Sequence, residues 1–212
     1  MPTTRFEIHP PTPGRWGDFV RLFSRKRACA GCWCMWWRLP HRQWLKQKGA
    51  RNKRAIHRLV QTGAVPGLLA YVGAEPVGWC AVAPRAAYPR LATSRSLKPV
   101  DDQPVWSVPC FFVAKAYRRR GVSLALLKAA VEFARERGAE GVEGYPIEPR
   151  KDQPDVFVYT GLASTFRKFG FKERARRTPC RPIMRITVTP SWQESRSHGR
   201  VRGKGSSPII DN

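Results

Sequence analysis

Apolar positions recur along the chain with two different periods, and the change from one to the other marks the elements. Val105 to Val113, V-W-S-V-P-C-F-F-V, is an apolar run of strand length and strand composition. A polar, basic turn follows from Ala114 to Arg120. Beyond it Leu124, Leu127, Val131 and Ala134 recur at three- and four-residue spacing, with Leu126, Ala130 and Phe133 widening the stripe. That period predicts an amphipathic helix, and Gly138 stands where a C-terminal cap glycine belongs. The unit is strand, tight loop, helix. Its loop, Arg118-Arg119-Arg120-Gly121-Val122-Ser123, lies at the helix N-terminus. There the first N–H groups have no intrahelical partner and the helix dipole is positive. Such an end binds phosphate where the backbone can come close, which Gly121 permits.

The rest of the chain alternates between these two patterns. Arg5 to His9 reads as a first strand, broken by Pro10, Pro11 and Pro13. Trp16, Phe19, Val20 and Phe23 then give a first helix. Pro40 to Val60 is helical and strongly basic, with Gly49 dividing it in two. Gly67 to Val72 and Val77 to Pro84 pair as a hairpin about Gly73-Ala74-Glu75-Pro76, where Glu75 serves the turn. Arg85 to Pro104 is a polar, irregular loop over the sheet edge, preceding the apolar strand. Gly141 to Tyr145 is a short strand, Pro146 to Pro154 a loop, and Phe157 to Phe169 a later helix. Phe171 to Ile186 closes the fold as a strand or hairpin. From Thr189 on, Ser, Gly and Arg dominate, so residues 189–212 are expected to form a disordered basic tail.

R-R-R-G-V-S, set between a strand and a long helix, resembles the R/Q-x-x-G-x-G/A loop of the GNAT superfamily of acyl-CoA-dependent N-acyltransferases. Ser123 stands where that family has Gly or Ala. Tyr159 to Phe171, Y-T-G-L-A-S-T-F-R-K-F-G-F, resembles the later GNAT helix that ends in a Gly-Phe pair. The hairpin from Gly67 to Arg85 is similar to the family's central hairpin. The resemblance covers Arg5 to Ile186. It implies an α+β fold: a GNAT-type mixed, mostly antiparallel central sheet flanked by helices on both faces. One domain would span 1–188, with a Cys/Trp-rich, basic helical insertion near 25–62. The implied activity moves an acetyl group from acetyl-CoA, as co-substrate, to an amine of a small molecule or peptide by direct attack. On the matching positions, Arg118, Arg119, Arg120, Gly121, Val122 and Ser123 would wrap the pyrophosphate. Phe111 and Val113 would line the pantetheine arm, with the N–H near Val113 polarising the thioester carbonyl.

The acid and base match the family less well. Many members carry a Tyr four residues before the Gly of the Gly-Phe pair; here that position is Phe166, which has no proton to give. Tyr159, Ser164 and Thr165 are the substitutes at hand. Many members also carry a Glu on the central strand, where this chain has only Ser107 and Cys110. Cys110 reads as a core thiol or as an acyl nucleophile. Among the remaining carboxylates, Glu143 and Glu148 lie closest to the expected cleft. Glu143 alternates with Val142 and Gly144, with Tyr145 assigned the opposite parity. Glu143 and Tyr145 are taken as the catalytic candidates, against a solvent-facing strand charge and a water chain as base.

Cys29 to Trp37, C-A-G-C-W-C-M-W-W, admits three readings. Cys29, Cys32 and Cys34 with His41 would supply zinc ligands. The segment would otherwise be a buried apolar plug with reduced thiols, or a wall of the acceptor pocket through Trp33, Trp36 and Trp37. Four large apolar side chains need cover, so wall or core is expected, with no metal.

Composition sets the outer bounds. The chain has 212 residues, 42% of them hydrophobic, enough for a packed core. No run approaches the roughly 20 apolar residues of a membrane span. The N-terminus lacks a signal-peptide apolar core, so the protein is expected in the cytoplasm, not at a membrane, with its six cysteines reduced. The net charge of +24 exceeds anything a coenzyme A site needs. From Phe19 to Ala74 there are twelve Lys or Arg and no Asp or Glu. A second cluster is Arg174, Arg176, Arg177, Arg181 and Arg185. These charges form a solvated face or attract an acidic partner. A nucleic-acid- or ribosome-associated binding module on a degenerate acyl-CoA fold is therefore the competing function.

Overall fold

The computed structural model describes residues 5–25, 30–149 and 155–189, the side chains of 155–157 excepted; Cys29 and the expected tail beyond Thr189 lie outside them. Among the described residues the strands are β1 (Glu7–His9), β2 (Gly67–Val72), β3 (Glu75–Pro84), β4 (Trp106–Val113), β5 (Gly141–Gly144), β6 (Lys172–Arg176) and β7 (Pro182–Thr187). The helices are α1 (Trp16–Phe23), α2 (His41–Gln47), α3 (Ala50–Gln61), α4 (Pro89–Ala92), α5 (Val122–Arg135) and α6 (Ala163–Lys168). The strands form one sheet in the order β1-β2-β3-β4-β5-β7-β6. Every neighbouring pair is antiparallel except β4 with β5. A parallel pair requires a crossover, and α5 supplies it.

Side-chain alternation sorts the two faces. Leu68 and Ala70 of β2 and Cys80 and Val82 of β3 meet Val122, Leu126, Leu127, Ala130 and Ala134 of α5. Leu69, Tyr71, Trp79 and Ala81, on the other parity, meet Phe19, Leu22 and Phe23 of α1, Trp37, and Ile56 of α3. In β4 the parity breaks. Val108 faces α5, but so does Phe111, while Cys110 and Phe112 face α1. The register explains why. Ala81 pairs with Cys110 and Ala83 with Ser107, so β4 has one residue more than β3 over this stretch. The extra residue is a β-bulge at Val108–Pro109, and proline is tolerated there because a bulge leaves a residue out of the ladder.

Helix α5 lies close to the sheet because Gly78 has no side chain. A Cβ on Gly78 would sit 2.6 Å from Val122 Cγ1 and 3.1 Å from Leu126 Cδ1. At the far end Gly138, with φ +80°, ends the helix, and the Ala139 N–H donates to the Ala134 carbonyl at 3.0 Å.

Several boundaries differ from those expected. The hairpin turn is tighter, because β3 begins at Glu75, opposite Val72. The segment 85–104 is not merely a polar loop: it carries α4 and buries Tyr88, Leu91 and Leu97. The later helix is broken in two. A 3-10 segment runs Asp155–Thr160, Gly161 takes φ +88°, and α6 starts only at Ala163. The closing segment is two strands, with β7 inserted between β5 and β6.

Gly78→Ala should therefore push the first turn of α5 off the sheet. We expect a loss of about 1–3 kcal/mol in urea denaturation, since Val122 is β-branched and has one favoured helical rotamer.

Candidate active site

The bulge and the crossover together open the sheet. β4 and β5 pair through Trp106 with Val142, Ser107 with Glu143 and Val108 with Gly144, and there the pairing stops. β4 continues from Pro109 to Val113 without β5 beside it. The Ala114 N–H donates to the Val77 carbonyl of β3 at 2.9 Å. Successive N–H groups of a strand point to opposite edges, so those of Val113 and Phe111 point away from β3, into the opening. On the α5 face of the opening, Phe166 is fully buried between Phe111 and Phe171. It also packs against Gly144, where any Cβ would overlap its ring.

The loop after β4 ends at the mouth of this opening. Gly121 caps α5 in the left-handed region, φ +87°, and Arg119 is also left-handed, φ +60°. A Cβ at Gly121 would touch nothing within 4 Å, so glycine serves the backbone angle there and not a tight space. The loop is anchored from the β2–β3 turn. Tyr117 Oη donates to Glu75 Oε2 at 2.6 Å, and Arg25 Nη2 donates to Glu75 Oε1 at 2.7 Å. The Tyr117 hydrogen bond, then that of Arg25, hold the Glu75 carboxyl below its usual pKa. Arg118 Nε turns back to the Val113 carbonyl at 3.3 Å, and Arg118, Arg119 and Arg120 all reach solvent. The result is a helix N-terminus, three arginines and a strand edge with open N–H groups, all at one end of the sheet.

The sequence model of the GNAT acetyltransferase family matches residues 33–149, more than half of the chain. The chain belongs to the GNAT acetyltransferase family. Its fold is shared with solved GNAT structures at low identity. An acetyltransferase from Streptococcus agalactiae aligns with TM-score 0.54 and 14% identity over 86% of this chain and 95% of its own. One from Listeria monocytogenes gives TM-score 0.52 and 10% identity over 86% and 95%. A protein described as histone acetyltransferase HPA2 and related acetyltransferase, from Corynebacterium glutamicum, gives 0.51 and 18% over 88% and 98%. No curated protein matches the sequence.

In this GNAT domain Glu143 and Tyr145 lie on one face, not on opposite ones, because strand residues two apart share a face. Neither is at the surface. Glu143 is 1% exposed and Tyr145 fully buried. Glu143 Oε2 accepts from Arg85 Nη1 at 2.8 Å and from Tyr145 Oη at 3.0 Å. Glu143 Oε1 accepts from Arg185 Nε at 3.1 Å and Nη2 at 2.8 Å. A carboxylate offers about four lone-pair positions, and these bonds use them all. Arg185 continues the network to Asp101 at 2.8 and 2.9 Å and to Gln103 at 2.7 Å, while Arg85 Nη2 donates to the Leu97 carbonyl at 2.6 Å. Ser107 Oγ lies 2.8 Å from Tyr145 Oη. Burial first, then the neighbouring Glu143 charge, raise the Tyr145 pKa. Sequence reading singled out Glu143 but missed Arg85 and Asp101, whose separation along the chain hides the pairing. Glu148, the other carboxylate considered, is half-buried at the surface and bridges Arg176 and Arg167, whose hydrogen bonds bring its pKa to about 2.

The Cys/Trp segment packs on the α1 side of the opening. Trp37 is buried and its Nε1 donates to the Pro109 carbonyl at 3.0 Å, tying the segment to the bulge. Trp33 is half-buried against Phe19 and Phe23, and Trp36 half-buried against Trp44 and Arg90. Trp33 and Cys34 take left-handed φ of +48° and +58°, costly for such residues. Cys34 Sγ accepts from Trp79 Nε1 at 3.0 Å. The hydrogen bond from Cys110, then that from Trp79, lower the Cys34 pKa against the opposing effect of burial. Tyr159, half-buried on the same side, has its pKa raised by burial, with Arg181 as its hydrogen-bond donor and Cys110 close enough to be felt. Among the described residues no three His, Cys, Asp or Glu side chains gather as a metal site would need. None of the described helices is long and apolar enough to cross a membrane.

Glu143→Gln should leave Arg85 and Arg185 facing a neutral amide in a buried site. We expect a loss of about 3–5 kcal/mol in urea denaturation, much more than for Glu148→Gln at the surface.

Proposed function

We propose that this GNAT domain transfers an acetyl group from acetyl-CoA to an amine of a small molecule or peptide, by direct attack within the β4–β5 opening. The observation that carries this reading is the end of β4–β5 pairing at Val108, which leaves the Phe111 and Val113 N–H groups facing a gap beside the α5 N-terminus. The pantetheine arm lies along the β4 edge at Phe111 and Val113. The pyrophosphate sits over Arg118 to Ser123, drawn by the helix dipole and the three guanidinium groups. Direct attack gains most of its rate from holding the two reactants in line. The Val113 N–H stabilises the oxyanion as the amine adds.

In this reading the acceptor enters past Trp33, Trp36 and Trp37. Glu143 and Tyr145, saturated by their partners, act by fixing β5 and the 85–104 segment around the reacting atoms. Tyr159 replaces the absent tyrosine at position 166: it protonates the thiolate as the C–S bond breaks, and the proton shed by the attacking ammonium passes through water back to its phenolate. Support for that role is its place, half-buried on the α1 side of the opening in the same cluster as Cys110 of β4.

The cofactor assignment is tested by Gly121→Asp and Gly121→Asn in calorimetry with acetyl-CoA. Both side chains tolerate the left-handed backbone, and only Asp adds a charge beside the pyrophosphate. Asp should abolish binding while Asn retains most of it; equal affinity for both would remove the loop from the site. Tyr159→Phe should lower kcat about 100-fold with little change in acetyl-CoA affinity, read as free-thiol release across a panel of amines. An unchanged kcat would exclude Tyr159 as the acid.

A further inference from the structure

Helix α3 carries charge where charge costs it stability. Asn52, Ile56 and Val60 are buried and fix the side turned to the core. At about 100° per residue, Arg51, Arg54 and Arg58 fall on the opposite side, and all three are exposed. They stand three and four residues apart, so they repel one another. Arg51 also lies in the first turn, at the positive end of the helix dipole, where no acidic residue stands and Gly49 supplies no side-chain cap. Among the described residues no carboxylate pairs with these three arginines, nor with Arg42, Lys46, Lys48 or Lys53 beside them. A stripe of like charges kept against these costs points to an anion supplied from outside.

The surroundings of the stripe select the kind of anion. An acidic protein needs an apolar centre to its interface, and a membrane needs an apolar face to bury. Leu45 of α2, 52% exposed, is the one large apolar side chain left in water among the described residues, and α3 itself exposes none. A nucleic-acid backbone needs neither, because charge alone holds it. Arg51 to Arg58 span about 10.5 Å of helix axis at about 1.5 Å per residue. One strand of a DNA duplex presents a phosphate every 3.4 Å or so, hence about three over that length. Single strands are held largely by stacking on exposed aromatic rings, and the stripe has none. Between Arg51 and Arg58 no Ser, Thr, Asn or Gln side chain is exposed to meet the 2′-hydroxyls of an RNA duplex.

We propose that Arg51, Arg54 and Arg58 form a docking surface for duplex DNA, gripping its phosphates without reading its bases. Each guanidinium takes phosphate oxygens through paired N–H donors. Phosphates between the arginines also remove the repulsion along the helix, so binding and helix stability gain together. None of the three arginines belongs to the β4–β5 opening, and the surface stands apart from the acyl-transfer reading.

The test is fluorescence anisotropy of a labelled DNA duplex with the full-length protein across a salt series. Arg51→Gln, Arg54→Gln and Arg58→Gln combined should weaken binding at least about tenfold at low salt and reduce the slope of log affinity against log salt by about 2.7. The Lys versions of the same three changes should keep most of the affinity. The control removes three exposed cations elsewhere, Lys168→Gln, Lys172→Gln and Arg174→Gln, and should cost much less. Two duplexes of unrelated sequence should bind within a factor of about three of each other. The Gln triple should melt no lower than the parent, since it relieves the repulsion. Equal losses in the Gln triple and the control would reduce the effect to net charge and overturn the proposal. So would an unchanged salt slope, or tighter binding to an RNA duplex, to polyglutamate or to anionic phospholipid vesicles than to DNA.

Discussion

Between Ser107 and Cys110, β4 uses one residue more than the β3 stretch opposite it, and that residue decides what lies on each side of the opening. With regular alternation from Val108, Cys110 and Phe112 would join the α5 core, and Phe111 and Val113 would face α1. The bulge reverses both pairs. It bends β4 at the place where β5 stops following it, and Pro109 has no N–H with which to continue a ladder. The Pro109 carbonyl is then taken by Trp37, which brings the Cys/Trp segment against the mouth. A single irregularity thus sets the gap, the facing side chains and the docking of the α1-side wall.

The buried Glu143 network holds the other rim. Breaking such a pair is costly because it strands a charge away from water, whereas its net gain over apolar packing is small. Its role here is geometric. Arg85 and Arg185 reach Glu143 from opposite sides of the fold, one from the end of β3 and one from β7, and Leu97, Asp101 and Gln103 are gathered with them. A segment that is polar and irregular in sequence is thereby fixed next to the sheet.

The strand–loop–helix unit and the hairpin were legible because their apolar periods are strong and their turns carry glycine at the positions that need it. The division of the basic region at Gly49 was legible for the same reason. The bulge was not seen, although Pro109 inside an apolar run was its signal: proline in a central strand argues for an irregularity. The split of the later helix escaped notice because Phe157 to Phe169 carries enough apolar residues to mimic a continuous stripe, and only Gly161 betrays the break. The parity of Glu143 and Tyr145 was misassigned, and so their shared hydrogen bond was hidden. The ion pairs to Arg85 and Arg185 link residues far apart in the chain, and local pattern does not record such contacts. The packing of Arg90 on Trp36 depends on α4, a short helix with too few residues to show a period.

The sheet is also a joint between two groups of strands. β1 to β4 are each paired with a sequence neighbour, and β6 and β7 form their own hairpin that docks on β5. The two groups share a short parallel ladder and the crossover helix, so the backbone hydrogen bonding across the seam is thin. Local opening of a protein follows its weakest cooperative boundary, and here that boundary coincides with the β4–β5 opening. A molecule seated in it would touch both units at once. Amide exchange along β5 and β7 would then slow in step with occupancy, through a gain in cohesion and without any change of shape.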